Sequence, residues 1–240
     1  MIGKRKILAV IPARGGSKGI KRKNLQEING ESLVGIAVKC ARLVEEIDAV
    51  IVSTDSEEIG SEGQKKGARF PFLRPKEFAS DTATDFALIK HALEEMENID
   101  LVKYDVVVLL QPTSPSRSPE HVRAVLNFLI EKNYDAVWTL SKTDSKYHPR
   151  KQINVKDGLV TYWHEDGIKM LPRQNLEQLY HVNGIAYALT RECITKQKSR
   201  FGKRTGAFII KDEVVNIDTL EDLELARMSL SKRANSPGPD

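Results

Sequence analysis

No apolar run in the 240-residue chain approaches the ~20 residues that a membrane-spanning helix requires, so no membrane partner is expected. Cysteine is scarce. Cys40 and Cys193 lie far apart and match no metal or redox spacing, which suits a reducing, cytoplasmic compartment. Acid is missing from one place in particular. Residues 1–26 hold eight Lys and Arg and no Asp or Glu, while all 33 acidic residues come later. The net charge of +4 therefore belongs to one segment. A basic block of this kind can be a nucleic-acid arm. Here an apolar run, ILAVIP, and a glycine loop divide it. That pattern suits a small polyanion held in a pocket, so no nucleic-acid partner is expected.

The remaining composition, 40% apolar and 29% charged, is that of a globular chain able to bury a core. Short β-branched runs read as strands: KILAVIP (6–12), DAVIVST (48–54), YDVVVLLQ (104–111), YDAVWTL (134–140), GIAYALT (184–190) and FIIKDEVVNID (208–218). Helical patterns fall over 32–46, 56–66, 84–97 and 119–132, the last with Ser118 as cap and Pro119 in its first turn. A final helix is expected from Thr219. Such alternation predicts an α/β fold: a doubly wound, Rossmann-like and mostly parallel sheet. Ligands then bind beyond the carboxyl ends of the strands. The rhythm breaks over 142–182, which is polar, Pro-punctuated and carries one hairpin-like patch, INVKDGLVTYW. This reads as an insertion in a single domain of residues 1–230, with a mobile tail over 231–240. The short apolar run at 7–13, followed by Arg14 and by no small-residue cleavage site, reads as a strand and not as a secretory leader.

The segment ARGGSKG follows the first strand. Its backbone N–H groups can form an anion-binding concavity, and glycine lets the main chain approach a phosphate. Arg14 offers a bidentate contact and Lys18 a point charge. A Walker A loop is excluded because Lys18 precedes Gly19. A dinucleotide loop is excluded because Gly15, Gly16 and Gly19 have the wrong spacing.

The segments IPARGGSKGIKRKN, STDSEEI, RPKEFASDTATD, LLQPTSPSR, LPRQNLEQLYHVNG and NIDTLEDL occur in this order. Together they resemble the acylneuraminate cytidylyltransferase family, the CMP-sialic acid synthetases and their relatives for legionaminic and similar nonulosonic acids. The resemblance runs from about residue 6 to 230. It implies the nucleotidyltransferase fold, CTP and a nine-carbon sugar acid as substrates, transfer of CMP to the anomeric 2-hydroxyl with release of pyrophosphate, Mg²⁺ or another divalent cation, and a homodimer built through the insertion.

The resemblance also implies roles for single residues. Ala13, Arg14, Gly15, Gly16, Ser17 and Lys18 would hold the CTP phosphates, with Lys23 and Asn24 at the loop's end. Where the family usually has proline two residues before that lysine, this chain has Lys21; Lys21 and Arg22 are read as solvated. Ser80 and Asp81 match the stretch near cytidine and ribose, although residues just before a helix also read as caps. Gln111 falls on the sugar acid, and so do Lys151, Arg173, Gln174 and Asn183. Arg117 is open between substrate contact and structure. His148 and His181 read as packing or hydrogen-bonding residues, and Trp138 and Trp163 as core or interface aromatics. Arg14, Lys18 and Asp218 would carry catalysis, with Asp218 as metal ligand. The family's Asp-Ile-Asp reads Asn216-Ile217-Asp218 here. On a strand the two outer residues share a face, so Asn216 would offer a second, neutral oxygen; Thr219 and Asp222 have capping-box spacing. Two rivals stand beside this reading: the same chemistry on Kdo or a pseudaminic-type acid, and a nucleotide-binding relative without catalysis. Kdo enzymes share the IPAR start but lack the GGSKG run.

Overall fold

The computed structural model describes residues 3–165, 167 and 176–235. Strand β1 (Ile7–Pro12) is central to the architecture. It pairs in parallel with β4 (Ala49–Ser53) on one side and with β5 (Val106–Leu109) on the other, so that Val10 lies opposite both Ile51 and Leu109. Its residues are apolar without alternation because both faces are covered. Ile7, Ala9 and Ile11 pack with α1 (Leu33–Arg42), α2 (Glu57–Lys65) and α4 (Pro119–Glu131). Leu8 and Val10 pack on the other face with α3 (Asp85–Asp100) and α5 (Arg191–Thr195).

The sheet is completed by β6 (Ala136–Lys142), β9 (Tyr180–Thr190) and β10 (Thr205–Ile209), in the order β10-β6-β9-β5-β1-β4. Strand β9 is antiparallel to both of its neighbours; the other pairings are parallel. The carboxyl ends of β1, β4 and β5 consequently share one edge. Two small antiparallel pairs lie outside the sheet: β2 (Glu27–Ile28) with β3 (Glu31–Ser32), and β7 (Ile153–Lys156) with β8 (Leu159–Tyr162).

Helix α4 starts as its sequence predicts: Ser118 Oγ accepts from His121 N–H and Pro119 takes the first position. Three expectations need correction. The strand expected over 208–218 ends at Ile209, and 210–219 is irregular; within it Ile217 is fully buried with Ile20, Leu33 and Leu223. The insertion is narrower than 142–182, because Leu140, Ser141 and Lys142 pair with Val182, His181 and Tyr180. The tail expected from 231 is helical as far as Asn235, within α6 (Leu220–Asn235); residues 236–240 lie outside the described part.

Candidate active site

The chain leaves β1 at Pro12, and Ala13 N–H bonds the carbonyl of Ser53 at 3.0 Å, which fixes the loop's root to β4. Gly15 N–H donates to Asp55 Oδ1 at 2.8 Å. Buried Asn24 ties the far end back, its Nδ2 donating to the carbonyl of Arg14 at 2.9 Å. The loop is thus shaped by hydrogen bonds at both ends, with Arg14, Lys18 and Lys23 lining a cleft of about 590 Å³. Gly19 touches the chain's other end: a Cβ there would lie 2.7 Å from the carbonyl oxygen of Asp218. Lys23 crosses the same junction, its Nζ 3.0 Å from the carbonyl of Ile217 and 3.1 Å from Asp218 Oδ1.

Expected residues gather in this cleft from four segments. Arg14, Ser17, Lys18, Lys23 and Asn24 come from the loop, Ser80 and Asp81 from the turn before α3, Gln111 from the end of β5, and Asn216 and Asp218 from the irregular segment before α6. Asn216 and Asp218 reach the cleft without the strand alternation expected of them. Ile217, buried between them and hydrogen-bonded through its N–H to the carbonyl of Thr113, turns its two neighbours outward. Asp218 and Thr219 N–H both bond Asp222 Oδ2, and Thr219 Oγ1 accepts from Asp222 N–H, so Thr219 and Asp222 form the expected cap. Asp81 does not cap α3; Thr84 does. Asp81 instead bridges Arg14 Nη1 (2.8 Å) and Lys18 Nζ (2.6 Å), and Lys18 first, then Arg14, hold its carboxyl below the usual range.

Other expected residues lie elsewhere. Ala13, Gly15 and Gly16 form the loop's root and turn and contribute backbone only. Asn183 is buried. Its Nδ2 donates to Ser141 Oγ, its Oδ1 accepts from Ile185 N–H, and its carbonyl accepts from Ser114 Oγ, whose hydroxyl also lies 3.4 Å from Asn216 Oδ1. Its amide is therefore a strut behind the cleft, away from its wall. Lys151 sits in a helical turn of the insertion, exposed and outside the cleft. Arg173 and Gln174 lie outside the described residues. Arg117 is structural: its guanidinium is buried and donates to the carbonyls of Gln111, Gly184 and Ile185, and burial pushes its pKa down to about 10. It thereby sets the turn on which Gln111 is carried. His148 is buried with Nδ1 accepting from Arg150 N–H, and His181 bonds Thr143. Trp138 packs at the core's edge, whereas Trp163 is exposed. Lys21 is exposed, and Arg22 pairs with Glu58.

The sequence reading missed Arg74. Its N–H is held by the carbonyl of Thr54, its side chain lines the cleft, and it is only 3% exposed. Its Nε and Nη2 have no hydrogen-bond partner among the described residues, and burial lowers its pKa. An unpaired buried guanidinium is costly, so its free donors mark a place for an anionic or carbonyl oxygen. The only signal was an arginine beside proline in RPKEF. Phe78, packed on His91 at 4.8 Å between ring centroids, gives the cleft an aromatic wall nearby.

A family model described as cytidylyltransferase matches residues 8–234. The chain belongs to the cytidylyltransferase family. It is 34% identical over 223 residues to the N-acylneuraminate cytidylyltransferase of Escherichia coli O18:K1:H7, a match covering 92% of this chain and 51% of that protein. It thus spans about half the length of that relative. It is 30% identical to the CMP-N,N'-diacetyllegionaminic acid synthase of Legionella pneumophila, covering 95% of this chain and 99% of the other. Among solved structures, CMP:2-keto-3-deoxy-manno-octonic acid synthetase complexed with CTP superposes with a TM-score of 0.71 at 19% identity, over 95% of this chain and 99% of that one; the likeness establishes the shared nucleotidyltransferase fold. Among the described residues of this cytidylyltransferase, no helix is long and apolar enough to cross a membrane.

Proposed function

We propose that this cytidylyltransferase transfers CMP from CTP to the anomeric 2-hydroxyl of a nonulosonic acid, releasing pyrophosphate. The observation that carries the reading is the convergence of Arg14, Lys18, Lys23 and unpaired Arg74 on one cleft that also holds the Asp218 carboxylate. Nucleotidyl transfer is chiefly positioning and neutralisation of charge. Arg14 and Lys18 neutralise the β- and γ-phosphates that leave, together with the Ser17 hydroxyl. Arg74 donates to nucleotide oxygens from a dry pocket, where such bonds are strongest. Ser80 and Asp81 would contact the cytidine and its ribose, with Asp81 also beside the loop's cations. Gln111 orients the acid's hydroxyls.

Asp218 and Asn216 present oxygen donors on one wall, the donor type that Mg²⁺ takes. Among the described residues, no group of three or more His, Cys, Asp and Glu could hold a metal ion. One carboxylate and one amide therefore fit a cation held largely by phosphate oxygens and water. Bound there, the cation would polarise the attacked phosphate and acidify the acceptor hydroxyl. Lys23 holds Asp218 in place through its ion pair.

The insertion supports a homodimer. All eight strand residues of the β7–β8 hairpin are exposed, among them Val155, Leu159 and Val160, and Trp163 extends the apolar surface. Such a patch marks an interface. Lys151, Arg173 and Gln174 would then serve the partner's acceptor site, and Asn183 supports the local one through Ser114. A cytoplasmic location is part of this reading, and two free, buried cysteines suit it.

A pyrophosphate-release assay with CTP and a panel of acids tests the reading. Release with a sialic- or legionaminic-type acid is expected. Release with only a pseudaminic-type acid or Kdo would move the acceptor. CTP binding without release from any acid would leave a nucleotide binder.

A further inference from the structure

Among the described residues, Asp81 is the anion set against both Arg14 and Lys18. One of its oxygens meets Arg14 and the other Lys18, the bridging arrangement that two oxygens of a phosphate chain would make. The carboxylate has no part in starting α3, since Thr84 caps that helix. Its backbone lies in a turn, held by Ala83 N–H to the carbonyl of Ser80 at 3.2 Å, and belongs to no helix or strand. Folding therefore gives no reason for a carboxylate at this position.

We propose that Asp81 is a built-in competitor for the phosphate site: its carboxylate occupies Arg14 and Lys18 in the free enzyme, yields them to the triphosphate of CTP, and takes them back as pyrophosphate leaves. The inference rests on the cytidylyl-transfer reading for the identity of the displacing anion. Exposure makes the exchange feasible. The side chains of Arg14, Lys18 and Asp81 are 37%, 78% and 50% exposed, and ion pairs in contact with water are weak. A triphosphate or pyrophosphate, carrying several charges, displaces one carboxylate; a single phosphate competes on nearly equal terms. The contact therefore discriminates against small anions and against product retention. Lys18 and Arg14 keep Asp81 ionised, so the competitor is always charged in the working range.

The test uses inorganic pyrophosphate without divalent metal, a probe that has no base or ribose for Asp81 to touch. Its Kd is measured by titration calorimetry at fixed ionic strength on the wild type, Asp81→Asn and Asp81→Ala. Both variants should bind about three- to tenfold more tightly, the scale of releasing two exposed ion pairs, and product inhibition by pyrophosphate should strengthen by the same factor. Unchanged or weaker binding in both variants overturns the proposal. Tighter binding by the variants, with no turnover of CTP by the wild type on any acid, would keep the competitor and remove the transferase reading. Normal turnover with unchanged pyrophosphate affinity would do the reverse.

Discussion

The α-carbon of Gly19 faces the carbonyl of Asp218 so closely that no side chain fits between them. Two segments 199 residues apart are in this way brought into contact at the cleft, and the glycine is set by proximity. Gly19→Ala is expected to push Asp218 outward and lower kcat about tenfold or more, since small misplacements at a reacting centre cost that much. Thermal stability should change little, because the junction is at the surface. A variant with native kcat would show that the loop and Asp218 need not touch.

The residue pair proposed as cation ligands predicts a divalent-ion phenotype. Asp218→Asn should nearly abolish turnover at ordinary Mg²⁺. Asn216→Asp should reduce the Mg²⁺ needed for half-maximal rate, because a charged oxygen replaces a neutral one for a hard cation. A Mg²⁺ titration that Asn216→Asp leaves unmoved would confine Asn216 to its contact with Ser114.

Sharing of sites across a dimer is testable by mixing. Lys18→Ala removes a phosphate contact, and Lys151→Ala removes a cation of the insertion. Each variant alone should be nearly inactive. Mixed under conditions of subunit exchange, they should regain up to about a quarter of native activity if Lys151 serves the neighbouring cleft, since half the chains pair as heterodimers and each has one intact site. No recovery in demonstrated heterodimers would place Lys151 at its own subunit's site or at none.

Stability away from the cleft has its own signature. Glu97 receives two bonds from Arg191, at 2.7 and 2.9 Å, and one from Tyr104 N–H at 3.1 Å. Burial pushes the Glu97 carboxyl up, but Arg191 and Tyr104 outweigh it and hold the pKa below the ordinary value. The folded pKa is thus lower than the unfolded one. The contribution is complete above the unfolded value and is lost as pH falls through the folded one. Glu97→Gln should destabilise by about 2 kcal/mol at neutral pH, and the difference from wild type should shrink in acid. A gap that stays constant down to low pH would assign the loss to packing.

The sequence disclosed most of the sheet because β1, β4 and β5 are buried on both faces and cannot be written in polar residues. It disclosed the glycine loop because few other structures need Gly15, Gly16 and Gly19 amid so many cations. The strand expected over 208–218 misled because VVNID is β-branched, yet its apolar residues pack beneath α6 and no strand is present there to pair with them. Arg74 escaped notice because its meaning is in its burial, which a polar heptad of loop sequence does not reveal. Asn183 was misassigned for the same reason: an amide next to glycine looks accessible until Ser141 and Ile185 are seen to take both its ends.

The reversed strand has a further effect. Because β9 runs against its neighbours, the chain leaves the sheet at Lys142 and re-enters it at Tyr180, directly opposite in the ladder. The segment between them is thereby a cassette whose two ends enter and leave the scaffold side by side. Such a segment can be lengthened, shortened or exchanged with that of a relative without rethreading the sheet or disturbing the glycine loop. In the proposed reading, part of the acceptor site then sits in a segment that can change separately from the frame that carries the nucleotide loop.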